Sequence, residues 1–155
     1  MTESRLDIIP SAWPGHIPLQ SFYTAGTGGQ IFFQELKQRG KLVGTRCRPC
    51  AQVYLPARSF CERCFEELTE QVEVKRAGQL VSYTICYVDN DRIALRRPLA
   101  LALVRMDGAT TVLLHYLIDV SEPGQVKIGC RVDALIKPKK HRVGSILDIE
   151  GFRLL

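Results

Sequence analysis

A chain of 155 residues is long enough for one compact unit, or for a small domain carrying an appended module. Hydrophobic residues at 46% and charged residues at 24% describe an ordinary soluble globular protein. No apolar run approaches the roughly 18 residues of a membrane span, and Met1-Thr-Glu-Ser-Arg lacks signal-peptide character, so a cytoplasmic location is expected. The formal charge of +5 invites a polyanionic partner only weakly, because 16 acidic residues are mixed among 21 basic ones.

Residues 1–29 carry Pro10, Pro14 and Pro18 and then Gly26-Thr-Gly-Gly, which argues against long regular structure and predicts a turn at the glycines. Ile8, Ile9, Trp13, Ile17, Leu19, Phe22 and Tyr23 are too many apolar residues for a purely solvated tail. The segment reads as an arm that docks on its own domain or on a partner subunit, a partly disordered terminus being the plainer alternative. Residues 30–39 predict a short helix, with Phe32, Phe33 and Leu36 on one side, Lys37 and Arg39 in the last turn and Gly40 as its stop. Two or three turns are not stable alone, so the phenylalanine face must pack against something.

Lys41-Leu-Val-Gly-Thr-Arg predicts a strand running straight into Cys47-Arg-Pro-Cys50, and ten residues later comes Cys61-Glu-Arg-Cys64. Two Cys-x-x-Cys turns facing each other bring four thiolates to the corners of a tetrahedron, which predicts one structural zinc ion on Cys47, Cys50, Cys61 and Cys64. Two disulfides would use the same residues, but six cysteines in 155 residues without a secretory signal are not a disulfide scaffold. A redox pair would need a single motif opening a helix. Between the knuckles, residues 52–60 predict a returning hairpin, with Pro56 tolerable only on an edge. Glu66, Glu67 and Glu70 predict a surface connector.

From residue 72 the chain changes character. Segments 72–75, 79–88, 98–106, 111–120, 130–137 and 146–154 are rich in β-branched or aromatic residues and are separated by Gly78, Asp89-Asn-Asp91, Asp107-Gly108, Pro123-Gly124 and Gly144. Val81, Tyr83, Ile85 and Tyr87 alternate with Ser82, Thr84 and Cys86. Five or six short strands predict a small closed barrel, an OB-fold. The expected organisation is mainly β with an N-terminal helical segment: arm and helix over 1–40, zinc ribbon over 41–71, barrel over 72–155.

Phe32-Phe33, Leu36, Gly40-Lys-Leu, Arg46-Cys-Arg-Pro-Cys, Tyr54-Leu-Pro-Ala-Arg, Cys61-Glu-Arg-Cys, Gly78-Gln-Leu-Val-Ser-Tyr-Thr and Ile128-Gly-Cys-Arg-Val together resemble a bacterial and archaeal family. Its members join a helical segment and a rubredoxin-like zinc ribbon to a C-terminal OB-fold. The resemblance covers about residues 30–137, with Ala51 standing where such knuckles often have glycine and Cys130 where the barrel often has another apolar residue. It implies a non-catalytic accessory subunit in acyl-CoA metabolism, a hetero-oligomeric partner of a thiolase or thiolase-like acyltransferase. A hotdog-fold enoyl-CoA hydratase is the alternative partner.

The remaining residues agree with a chain that supplies no bond-making group. Cys86 and Cys130 fall in predicted strands as inert thiols, and His16, His115 and His141 are convened by no sequence pattern. Binding is carried instead by two basic loops, Lys137, Lys139, Lys140 and Arg142 in one and Arg92, Arg96 and Arg97 in the other. If both fall at one end of the barrel, they suit the phosphates of coenzyme A or an acyl-CoA. The rival class is single-stranded nucleic acid, with Tyr83, Tyr87 and Tyr116 as stacking platforms. The aliphatic strand Leu99-Ala-Leu-Ala-Leu-Val, with no aromatic-basic alternation, argues against it. A free-standing acyl-CoA carrier is a third reading, disfavoured by the apolar arm.

Overall fold

A computed structural model describes residues 11–15 and 18–155. Ile8, Ile9, His16 and Ile17 lie outside the described residues. The described arm does not pack on its own domain: Trp13, Leu19, Phe22 and Tyr23 are all at least 80% exposed.

Helix α1 spans Gly26–Arg39 and therefore starts four residues earlier than expected. The predicted turn at 26–29 is its first turn. Gly28 explains why glycine stands there: a Cβ at this position would lie 2.7 Å from the backbone Cα and carbonyl carbon of Arg58, so the helix touches the ribbon backbone where only a hydrogen fits. Phe32 and Leu36 are fully buried, and Gly40 closes the helix in the left-handed conformation at φ 66°, its N–H returning to the carbonyls of Glu35 and Leu36.

Strands β1 (Leu42–Arg46), β2 (Val53–Tyr54) and β3 (Glu70–Val74) form a three-stranded antiparallel sheet in the order β2-β1-β3. Pro56 follows an edge strand, as expected. β3 corrects the sequence reading, which placed this segment in the barrel. It pairs with β1 along five residues, from Leu42↔Val74 to Arg46↔Glu70. Cross-strand charge pairs line the ladder, Lys41 with Glu73 at 2.5 Å and Arg46 with Glu70 at 3.8 Å. Two carboxylates on a half-exposed strand, each paired with a cation on or beside β1, suit this small sheet better than a barrel wall.

The next five strands close the barrel in the order β4-β5-β6-β8-β7: β4 (Ala77–Val88), β5 (Ala94–Met106), β6 (Leu113–Leu117), β7 (Arg131–Ile136) and β8 (Ile149–Leu154). A bulge between Leu80 and Ser82 interrupts the alternation read in β4. β6 and β8 meet through one parallel pair, Leu117↔Phe152. Residues 146–148 form a 3-10 turn rather than the start of a strand. Its buried Asp148 accepts the backbone N–H groups of Val143 at 2.9 Å and Gly144 at 2.7 Å, so the carboxylate organises the loop entering β8.

The main hydrophobic core runs from Phe32 and Leu36 of α1 through Leu42, Val53 and Leu55 of the ribbon to Leu80, Met106 and Phe152 of the barrel, and a second, small cluster of Cys47, Tyr54, Cys61 and Leu68 surrounds the sulfurs. Threonine hydroxyls reinforce the joint. Thr110 Oγ1 accepts from Val53 N and donates to Val53 O, both at 2.9 Å, and Thr111 does the same to Leu55 at 2.9 and 3.0 Å. Each hydroxyl satisfies two backbone groups of the short β2 segment that lack a strand partner on that side. Ribbon and barrel are therefore tied by apolar burial and by a hydrogen-bonded clasp.

Candidate metal centre and charged surfaces

The two knuckles are copies of one local structure offset by 14 positions. Cys47 N donates to Gln52 O at 2.8 Å, and Cys61 N donates to Glu66 O at 2.9 Å. Ala51 and Phe65, each directly after a knuckle's second cysteine, take φ of 56° and 57°. This left-handed backbone costs a non-glycine residue roughly 1–2 kcal/mol. It turns the chain so that amides and sulfurs face inward, and the left-handed position where such knuckles often have glycine is taken by Ala51 in one knuckle and Phe65 in the other.

The result is a compact donor set. The four sulfurs lie within 4.8 Å of one another, with Cys50 Sγ and Cys61 Sγ 3.6 Å apart. A tetrahedron with Zn–S bonds of about 2.3 Å has S···S edges of about 3.8 Å, so the set matches one zinc ion in size as well as in chemistry. Cys47 and Cys61 are fully buried, Cys50 is half-buried and Cys64 faces solvent. Four thiolates leave no open coordination position, and the cluster therefore points to one structural zinc.

Electrostatics single out Cys61. Burial pushes its thiol up, but the Tyr54 hydroxyl at 3.2 Å and the backbone N–H groups of Cys64 and Arg63 outweigh it and bring the thiol down to about 6. Cys64, hydrogen-bonded to Cys50 and partly desolvated, is pushed up to about 12. Tyr54 is likewise pushed up to about 12, first by its bond to Cys61 and then by burial, so it remains a proton donor. Sequence reasoning missed Tyr54. Its place one residue after the β2 valine carried no signal of its own, since reach to a sulfur seven residues away depends on the hairpin closing.

The other cysteines and the described histidines stay apart. Cys86 on β4 and Cys130 beside Leu80 are half-buried, separated by six residues of strand, or about 20 Å. His115 on β6 is 6% exposed and donates from Nε2 to Ile146 O at 3.1 Å, its ring edge-on to Tyr116 and Phe152. Its Nδ1 is buried without a partner among the described residues. His141 sits in the exposed 3-10 turn Lys139–His141.

The two basic loops do not meet. β4 and β5 join near Val88↔Ala94, whereas Gly78↔Met106 and Ala77↔Asp133 mark the opposite end. β7 runs from there past the start of β4 before releasing Lys137, Lys139, Lys140 and Arg142. Arg92, Arg96 and Arg97 belong to the β4–β5 hairpin, which closes the other end of β4. The seven side chains line no common cavity, because antiparallel strand order sends the two connections to opposite ends of β4. Arg96 and Arg97 line a cavity with Tyr116, Asp119 and Glu150. Arg142 donates from Nε to Lys137 O at 2.6 Å and covers Gly40 at the end of α1. Among the described residues no helix is long and apolar enough to cross a membrane.

A helix-backed four-cysteine ribbon sharing its core with a five-stranded barrel defines a zinc-ribbon/OB-fold protein. Family models agree in sequence: the rubredoxin-like zinc ribbon domain of ChsH2 matches residues 34–70, and the C-terminal OB-fold domain of ChsH2 matches residues 71–137. The chain belongs to the ChsH2/DUF35 family. A crystal structure of a DUF35-family protein of unknown function from Sulfolobus solfataricus is 32% identical over 83% of this chain and 84% of that one, with a TM-score of 0.60. A chain of the Ltp2-ChsH2(DUF35) aldolase is 25% identical, covering 80% of this chain and 91% of that chain at a TM-score of 0.56. DUF35 domain-containing scaffold proteins of Methanocaldococcus jannaschii and Pyrococcus furiosus are 24% identical over 106 residues, 68% of this chain and 74% and 76% of theirs.

Proposed function

We propose that this chain is a zinc-stabilised, non-catalytic accessory subunit of an acyl-CoA-processing complex, paired with a thiolase or thiolase-like acyltransferase. The zinc braces the ribbon, the ribbon and barrel present one rigid surface, and the partner holds the groups that break or make bonds. The observation that carries this reading is the likeness, through ribbon and barrel alike, to a chain of the Ltp2-ChsH2(DUF35) aldolase. Aldol and thiolase chemistry both cleave or form a carbon–carbon bond beside a carbonyl. Relatives described as scaffold proteins support the same division of labour. So does the arm, whose Trp13, Leu19, Phe22 and Tyr23 are at least 80% exposed and would gain burial against another chain.

The test is co-expression with thiolase-like proteins of the same genome, followed by size-exclusion chromatography with light scattering. A stable hetero-oligomer is expected, and replacing Trp13, Leu19, Phe22 and Tyr23 by alanine should weaken it while leaving the melting temperature in place. A chain that elutes alone beside every such partner overturns the reading. Co-elution with a hotdog-fold hydratase instead moves the partner but keeps the accessory role.

A further inference from the structure

We infer that the groove where α1, the ribbon and the barrel meet is a binding site for a small ligand carrying two phosphates. It is lined by five cationic side chains, Arg39, Lys41, Lys75, Arg76 and Arg142, against one carboxylate, Glu73, and has a volume of about 460 Å³. These cations come from four separate places: the end of α1, the residue before β1, the link from β3 to β4, and the loop after β7. Gathering like charges from distant parts of a chain raises the folded state's self-repulsion, and an anion seated among them removes that cost.

The internal ion pairs leave charge to spare. Arg39 pairs with Glu35 at 3.0 Å and reaches Glu73 at 3.8 Å, and Lys41 pairs with Glu73 at 2.5 Å, so two carboxylates answer two of the five cations. Asp107, an acid near Lys75, is held by both terminal guanidinium nitrogens of Arg131, which keeps its carboxyl below the ordinary carboxylate range. Among the described residues, Lys75 and Arg76 form no ion pair, and both are exposed. Arg142 is held in place by its bond to Lys137 O, which leaves the rest of its guanidinium fork at the groove.

The lining also says what the ligand is not. It contains no aromatic residue on which a base stacks, and its apolar members Leu42, Val74 and Ile136 are strand residues of the wall. Recognition must therefore be of the phosphates. A guanidinium fork beside two flexible ammonium groups suits a diphosphate or a pair of phosphomonoesters. The site replaces the two-loop arrangement expected from sequence: of those seven residues only Arg142 belongs to it. It does not depend on the partner reading, because one chain supplies every group.

The full zinc-loaded chain, titrated calorimetrically with pyrophosphate, coenzyme A, dephospho-coenzyme A and poly(dT), tests this. Pyrophosphate and coenzyme A are expected to bind, and Lys75→Ala with Arg76→Ala to weaken both at least about tenfold, about 1.4 kcal/mol. Lys139→Ala with Lys140→Ala, outside the lining, should change affinity by less than about threefold, and rising salt should weaken binding throughout. Weaker binding of dephospho-coenzyme A would show that the two sources of phosphate, ester and diphosphate, are both used; equal binding assigns the site to the diphosphate. Binding of poly(dT) alone, of none of the probes, or binding indifferent to Lys75 and Arg76, overturns the inference. Because the sample is the isolated chain, a failure to co-elute with any thiolase leaves this outcome untouched.

Discussion

The Tyr54 hydroxyl lies 3.2 Å from the Cys61 sulfur, and both residues are fully buried. With the thiol brought down to about 6 and the phenol pushed up to about 12, tyrosine is the donor and sulfur the acceptor. The bond places one proton-donating group directly behind a metal ligand. Arg58 stacks over the same ring, 5.1 Å from its centroid, so the tyrosine is held from the outer side as well.

Tyr54→Phe keeps the ring and removes that bond alone. Partners standing behind a ligand are worth about 10–100-fold in metal affinity, and zinc should be lost to a competing chelator more readily by about that factor. The measurement is a colorimetric competition titration. Unaltered affinity would mean that the hydroxyl merely fills space.

Zinc removal reaches beyond the ribbon. Binding energy of a structural site is folding energy, and here ribbon residues Leu42, Val53 and Leu55 share a core with barrel residues Leu80 and Met106. Chelation, or Cys61→Ser, should lower the melting temperature of the whole body in one transition, by about 10 °C or more if several kcal/mol are lost at about 2–4 °C per kcal/mol. Scanning calorimetry showing a barrel that melts as before would contradict the shared core.

Gly28→Ala sets two effects against each other. Helix propensity favours alanine by about 1 kcal/mol, but the new Cβ would meet Arg58 backbone at 2.7 Å, and overpacking against backbone costs about 1–3 kcal/mol. The steric term is expected to win, giving a lower urea midpoint. A stabilised variant would place α1 farther from the ribbon than the structure does.

His115 makes stability depend on pH. Burial lowers its imidazole below the ordinary 6.5, and the bond to the Ile146 carbonyl only partly opposes this. The unfolded chain therefore takes up the proton first as pH falls. The stabilising contribution is complete above about 6.5 and disappears as pH drops through the folded value. His115→Leu should accordingly flatten the fall in melting temperature below about pH 6.5 relative to the wild-type chain. Parallel curves would remove His115 as a source of that fall.

Much of this was legible in the letters. The paired Cys-x-x-Cys turns, the helix ending at Gly40 and the β-rich second half each depend on neighbours within a few residues, and all appear where they were read. The start of α1 was not, because Gly26-Thr-Gly-Gly is locally a turn signal and becomes helical only when Gly28 rests on Arg58. Nor was the partner of β3, whose mixed polar and apolar residues Glu70-Gln-Val-Glu-Val suit any half-exposed ladder.

Local chemistry thus decides from the sequence alone that this chain carries a four-sulfur ribbon and a small barrel. Only tertiary pairing decides that β3 completes the ribbon sheet, that Tyr54 reaches Cys61, and that the basic loops part company while Arg39, Lys41, Lys75, Arg76 and Arg142 converge. The reason is physical: a knuckle or a helix stop is encoded in contacts a few residues apart. Which end of a barrel a loop occupies follows from the order and direction of strands that are distant in the chain.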